Sequence, residues 1–163
     1  MKKKLLIVLV LIVGCAKEPI NFEVLNERDD VYYTKDTNEP YTGAVFELYS
    51  SGEKEFEGYL KDGKRDGKLT SYYEDGKKDS EINYKDGKRD GYVAEYYDNG
   101  QIKGEGNFKD GELNGKATEY YENGQIEVEQ NYKDGELNGK ETWYSEDGSI
   151  AGVDEYKDGE LVE

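Results

Sequence analysis

The sequence contains no histidine, one cysteine, one tryptophan and two prolines among its 163 residues. Without histidine there is no imidazole base and no imidazole metal ligand, and a lone cysteine makes neither an internal disulfide nor a thiolate zinc site. No catalytic motif replaces them: there is no Gly-x-Ser-x-Gly, no phosphate-binding P-loop and no dinucleotide fingerprint. Carboxylates occur throughout the chain, so paired-acid logic selects no particular pair. The sequence therefore assigns no catalytic residue, no metal ligand and no cofactor. Cationic surface is also scarce, with 22 Lys and Arg against 38 Asp and Glu, a net charge of −16. A surface of that sign repels phosphate backbones, which argues against nucleic acid as a partner.

Long apolar runs are missing too, except at the N-terminus. There Lys2-Lys3-Lys4 precedes an uncharged apolar stretch over 5–13. Nine helical residues rise only about 14 Å, against roughly 30 Å of membrane hydrocarbon, so the stretch is too short to span. It reads instead as the apolar part of an export signal. It ends in Ile12-Val13-Gly14-Cys15, which closely resembles the bacterial lipobox. The resemblance implies cleavage after residue 14 and lipid attachment to Cys15, anchoring the mature chain in the cell envelope. Loss of residues 1–14, with three lysines and no acids, takes the net charge from −16 to −19. Ala16 stands where an aspartate would resemble an inner-membrane retention signal, so an outer membrane is the expected site if the source has one. Residues 15–30 are expected to form the lipidated N-terminus and a tether.

What the chain has in abundance is glycine and tyrosine, 20 and 16 residues, placed with a fixed period. Lys-Asp-Gly occurs at 61–63, 85–87, 109–111, 133–135 and 157–159, a step of 24. Gly52, Gly76, Gly100, Gly124 and Gly148 keep that step, as do Gly43, Gly67, Gly91, Gly115 and Gly139. Such regularity defines a repeat array over 31–163, in which each unit buries its surface only against its neighbours. The units are 43–66, 67–90, 91–114, 115–138 and 139–162.

Each unit carries two turn signals about 12 residues apart: a glycine tip, Asn-Gly at 99–100 and 123–124 and Asp-Gly at 75–76 and 147–148, and the Asp-Gly of Lys-Asp-Gly. No helical period competes with them. The expected fold is all-β: an elongated single-sheet antiparallel meander of hairpins, with about eleven short strands. Two-residue turns throughout would pair Tyr97 with Ile102, Val93 with Gly106 and Phe108 with Leu113. One face then gathers Val93, Tyr97, Ile102, Phe108, Leu113, Ala117, Tyr121, Ile126 and Tyr132, and the other takes Lys103, Glu105 and Asn107. Glu95 and Glu119 fall on the apolar face, where their charge is out of place.

Tyrosines form two columns. Tyr49, Tyr73, Tyr97 and Tyr121 lie on the apolar face, and Tyr72, Tyr96, Tyr120 and Tyr144 lie opposite. Cross-strand stacking is the ordinary role of both. The second column is also a candidate binding stripe, because tyrosine offers contact area and a polar tip at low entropic cost. Acidic pairs such as Glu127 with Glu129 lack calcium-loop spacing and read as solvated charge.

Tyr-Tyr-Glu-Asn-Gly-Gln-Ile at 120–126, followed by Asn-Tyr-Lys-Asp-Gly-Glu-Leu-Asn-Gly at 131–139, resembles the bacterial variant of the MORN repeat. It is similar in particular to the YwqK-type proteins grouped with toxin–antitoxin antitoxins, and Glu-Pro-Tyr-Thr-Gly at 39–43 resembles the start of such arrays. The resemblance implies a β-hairpin array without shared chemistry. The expected function is a non-enzymatic, lipid-anchored envelope module that binds or organises a protein or glycan partner. The alternative is an antitoxin or immunity-type protein acting on a toxin in the envelope.

Overall fold

A computed structural model describes residues 18–162. The signal segment 1–14 and the lipidation residue Cys15 lie outside the described residues.

The first strands are β1 (Ile20–Asn21), β2 (Leu25–Arg28), β3 (Val31–Thr34), β4 (Gly43–Leu48), β5 (Lys54–Lys61) and β6 (Lys64–Arg65). The middle of the array is built from β7 (Gly67–Tyr72), β8 (Lys78–Lys85), β9 (Lys88–Tyr96), β10 (Ile102–Lys109) and β11 (Glu112–Tyr120). It closes with β12 (Ile126–Lys133), β13 (Glu136–Leu137), β14 (Gly139–Tyr144), β15 (Ile150–Lys157) and β16 (Glu160–Leu161). Fourteen of these form one sheet, in which β4 to β16 follow one another antiparallel in chain order, except that β6 pairs only β5 and β13 only β12. The fold is the expected all-β meander.

The sixteen strands exceed the expected eleven partly because β1 and β2 precede the array and partly because the chain kinks at the glycine series that runs from Gly43 to Gly139. Gly67 and Gly139 stand at breaks between β6 and β7 and between β13 and β14. In β11 the kink is a bulge: Phe108 pairs with Leu113 and Gly106 with Ala117, leaving extra residues around Gly115. Its φ of +99° suits a residue without a Cβ.

The two turn types differ. At Lys-Asp-Gly both central residues are left-handed, as at Asp86 (φ +50°) and Gly87 (φ +87°), and Lys85 pairs with Lys88. These are two-residue primed turns, whose twist matches that of the strands. At the other tips only the glycine is left-handed, as Gly100 (φ +85°). Gly100 N–H donates to the Tyr97 carbonyl at 2.8 Å, and Tyr97 N–H to that of Gln101 at 2.8 Å. The tip is therefore a residue longer than expected, and Ile102 pairs with Tyr96 rather than Tyr97. A further bulge at Lys103 restores the register, so Val93 still faces Gly106. The side chain of Asn99 is used locally, accepting from Gln101 N–H at 2.8 Å.

The tether expected over 15–30 fails from Ile20 onward. β1 pairs parallel with β4 through Ile20–Val45 and Asn21–Phe46, shielding the edge of the sheet. β2 and β3 then form a hairpin around Asp29 and Asp30, both left-handed. Ile20, Phe22 and Leu25 are few, but they close the end of the array on Tyr41, Val45 and Leu60, and Leu60 is 1% exposed. Phe22 packs against Tyr32 (4.6 Å between ring centroids) and edge-on against Phe56 (5.1 Å). This is the thickest part of an otherwise thin core.

Candidate binding faces

Register determines which side chains become neighbours. Across the middle of the sheet Glu57, Thr70, Glu81, Ala94, Glu105, Thr118, Glu129 and Thr142 are successive cross-strand partners. Carboxylates thus alternate with small residues along one face. The candidate tyrosines lie two positions along the same strands from the small residues, so they share that face. Their hydroxyls reach diagonally to the carboxylates: Tyr72 donates to Glu57 (2.7 Å), Tyr96 to Glu81 (3.2 Å), Tyr120 to Glu105 (2.8 Å) and Tyr144 to Glu129 (3.2 Å). A ring that starts beside Thr118 and ends on its partner Glu105 passes over Thr118, which accounts for the burial of Thr70, Ala94 and Thr118 beneath half-buried rings.

Lysines complete the row. Glu81 accepts from Lys78 at 2.8 Å and Lys68 at 3.0 Å, and Glu57 from Lys54 at 2.6 Å. Lys116 pairs with Glu129, and Tyr92 donates to Glu105 at 2.6 Å. The hydrogen bonds from Lys78 and Lys68 hold the Glu81 carboxyl down at about 2. Burial, reinforced by the neighbouring Glu57 or Glu105, pushes the phenols of Tyr72 and Tyr120 up to about 12. Glu129, expected to be solvated, is instead tied to Lys116 and Tyr144. The constant offset of 15 residues between glutamate and tyrosine was the available signal; neither apolar periodicity nor turn rules read it.

The four candidate tyrosines therefore lie on one face, two strands apart, at a spacing of about 9–10 Å. With their hydroxyls engaged internally, it is ring surface that they offer a partner, and Lys54 and Lys78 already lie over the Tyr72 and Tyr96 rings, 5.8 and 5.9 Å from the centroids. Among the described residues no group of three His, Cys, Asp or Glu is placed to hold a metal ion.

On the opposite face Leu69, Ile82, Val93, Gly106, Ala117 and Gln130 are successive partners. A parallel row runs through Ser80, Glu95, Gly104, Glu119, Val128 and Trp143. The charges of Glu95 and Glu119 thus do share a face with Val93, one on each side of Gly104. The other tyrosine column borders this face and bonds backbone: Tyr49 donates to the Tyr72 carbonyl (2.6 Å), Tyr73 to that of Tyr96 (2.5 Å) and Tyr121 to that of Tyr144 (2.8 Å).

Residues 65–86, 89–110, 113–134 and 137–158 each match the MORN repeat variant, together more than half of the chain. The chain belongs to the MORN repeat variant family. Each matched MORN stretch runs from one Lys-Asp-Gly turn to the next, through a tip that carries paired tyrosines in the first three and Tyr144-Ser145 in the last. Comparison with curated proteins finds no match to this chain. MORN membership describes a repeat protein with a binding or structural role, and the geometry above shows which side chains the repeats place outward.

Proposed function

We propose that this MORN-repeat protein is a non-enzymatic binding module of the cell envelope, anchored by lipid on Cys15, with the tyrosine–glutamate face as the surface that holds a protein or glycan partner. The observation that carries the reading is the fixing of Tyr72, Tyr96, Tyr120 and Tyr144 by the glutamate row. Rings held in place before a partner arrives lose little freedom on binding, so contact area converts to affinity with less entropic loss. The lipobox resemblance at 12–15 supports the anchor, and an outer membrane is the proposed location where the source has one.

An antitoxin or immunity role is a second reading. It draws on the YwqK-type resemblance and on the net charge of −16, which suits capture of a basic toxin. An exported lipoprotein meets only a toxin that acts in, or is delivered to, the envelope.

Growth with an alkyne fatty acid tests the anchor: wild type incorporates label into the membrane fraction, and Cys15→Ser is neither labelled nor retained there. Label on the serine variant, or none on wild type, rejects the anchor. Capture from envelope extract tests the face, and a toxin in the captured set selects the second reading.

A further inference from the structure

One position on the face opposite the stripe varies between repeats, and in the middle of the array it is a glycine. At the 24-residue step, Phe56, Ser80 and Val128 occupy the place that Gly104 takes, and Gly152 repeats the glycine in the last unit. Ser80 is buried and bonds Ser71 at 2.8 Å, and Val128 is buried opposite Trp143. At Gly104 an added Cβ meets nothing nearer than the Thr118 carbonyl oxygen at 3.7 Å and Glu119 Cγ at 3.9 Å. Two residues on, Gly106 is sealed by Leu113 (3.2 Å) and Ala117 (3.4 Å), which gives the space a floor. The result is an open groove of about 420 Å³ across β9 to β12.

Its chemistry is divided. Val93, Phe108, Leu113 and Ala117 line an apolar part. Glu95 and Glu119 face each other across Gly104, as direct partners of it on either side. Both are exposed, and no ion pair or hydrogen bond holds either among the described residues. Glu127 and the ring of Tyr97 border the same end, with the Tyr97 hydroxyl fixed on the Tyr120 carbonyl at 2.6 Å. Two cations also border the groove: Arg89, lying over the Phe108 ring at 5.3 Å, and Lys103 at the bulge. Neither pairs with Glu95 or Glu119.

We propose that this groove binds an extended basic segment of a partner protein, one lysine or arginine entering at Gly104 between Glu95 and Glu119. The aliphatic stem suits the Val93–Leu113–Ala117 floor, the cation suits the two carboxylates, and the Tyr97 ring adds a π face. Charge complementarity selects this occupant: a chain of net charge −16 disfavours an acidic ligand, and an uncharged one leaves both carboxylates unmatched. The proposal rests on the binding-module reading and assigns it a second face.

The test uses the full chain and a fluorescent six-residue peptide alternating lysine and threonine. Anisotropy is read at about 0.15 M salt, where long-range attraction is screened beyond about 8 Å. Glu95→Gln with Glu119→Gln weakens binding at least tenfold, and Gly104→Leu, which fills the slot without changing charge, does the same. Glu112→Gln with Glu136→Gln, an equal charge change at the Lys-Asp-Gly turns, stays within twofold. Far-UV circular dichroism checks that each variant is folded, and the exposed glutamate pair decides if Gly104→Leu is not. Equal loss in the turn control, or wild-type affinity in folded Gly104→Leu, overturns the groove as attraction to acid alone. Capture of an envelope partner that persists in those variants and depends on the tyrosine stripe leaves the binding-module reading standing.

Discussion

The hydroxyl of Tyr97 donates to the backbone carbonyl of Tyr120 at 2.6 Å, joining the tips of two successive hairpins. Tyr120 in turn donates to Glu105 at 2.8 Å, which lies on the strand between them. The two tyrosine columns on opposite faces are therefore one device: the first fixes the next tip by its backbone, and the second ties that tip back to the preceding strand. Asn99 adds a bond from its amide to the Glu122 carbonyl at 3.1 Å. In an array with so thin an apolar layer, these cross-unit bonds give adjacent repeats a common fate.

Removal of one such bond is the simplest measure of that coupling. Tyr97→Phe keeps the ring and strands a carbonyl in a part-buried place, so the loss is about 1 kcal/mol. Urea unfolding is expected to show a lower midpoint at unchanged slope. An unchanged midpoint means the hydroxyl contributes nothing.

Acid is expected to act on the glutamate row. Glu81 is held near 2, first by the hydrogen bonds from Lys78 and Lys68, while an unfolded glutamate titrates at about 4.3. As pH falls the unfolded chain binds the proton first, so the stabilisation is complete above about pH 4.5 and is lost down to about pH 2. Glu57 and Glu105 are also lowered and add with the same sign. Unfolding free energies at pH 6, 4 and 3 are expected to fall steadily in wild type and less steeply in Glu81→Gln; parallel curves reject the assignment.

Base acts through the tyrosines with the opposite sense. The phenols of Tyr72 and Tyr120 are raised to about 12, so their stabilisation is intact below about pH 10 and is lost as pH rises through about 12. Loss of the β-sheet dichroism is expected to coincide with the part of the phenolate absorbance that Tyr72→Phe with Tyr120→Phe removes. If the phenolate signal that Tyr72→Phe with Tyr120→Phe removes is one that appears near pH 10 on a folded sheet, burial does not protect these rings.

The hairpin array was legible because a 24-residue period and Asp-Gly turns constrain the backbone locally. The Tyr97–Ile102 pairing was not, since a two-residue and a bulged tip share the Asn-Gly signal and differ only in whether Asn99 is also left-handed. The cap from Ile20 to Leu25 escaped reading for another reason: it is non-repetitive, and its three apolar side chains matter only because they meet Val45 and Leu60 in space. The misplaced charges of Glu95 and Glu119 were visible in the alternation, but the gap at Gly104 that separates them depends on register.

Two glycines of similar backbone conformation test how far space, rather than φ, governs the turns. Gly100 (φ +85°) has nothing within 4 Å of an added Cβ, so Gly100→Ala carries only the left-handed penalty of roughly 1–2 kcal/mol. At Gly63 (φ +77°) the added carbon falls 2.4 Å from Val31 Cγ1 and 2.8 Å from the Tyr32 carbonyl oxygen. Gly63→Ala is therefore expected to cost more by at least about 1 kcal/mol and to loosen the N-terminal cap. Equal melting temperatures for the two variants contradict the close approach.

The tyrosine stripe has a structural role and a proposed recognition role, and two triple variants separate them. Changing Tyr72, Tyr96 and Tyr120 to Phe removes three hydroxyl–carboxylate bonds, worth roughly 1–3 kcal/mol each, while leaving the rings. Partner capture is expected to survive that change at temperatures where the array stays folded. Changing the same three to Ser removes the platform as well, and an aromatic anchor at an interface is often worth about 2 kcal/mol, roughly a thirtyfold loss in affinity. Capture by the folded Ser variant should then fall far beyond what its lowered stability explains. If the folded Ser variant captures its partner like wild type, the rings serve only to cover Thr70, Ala94 and Thr118, and the partner is held elsewhere on the array.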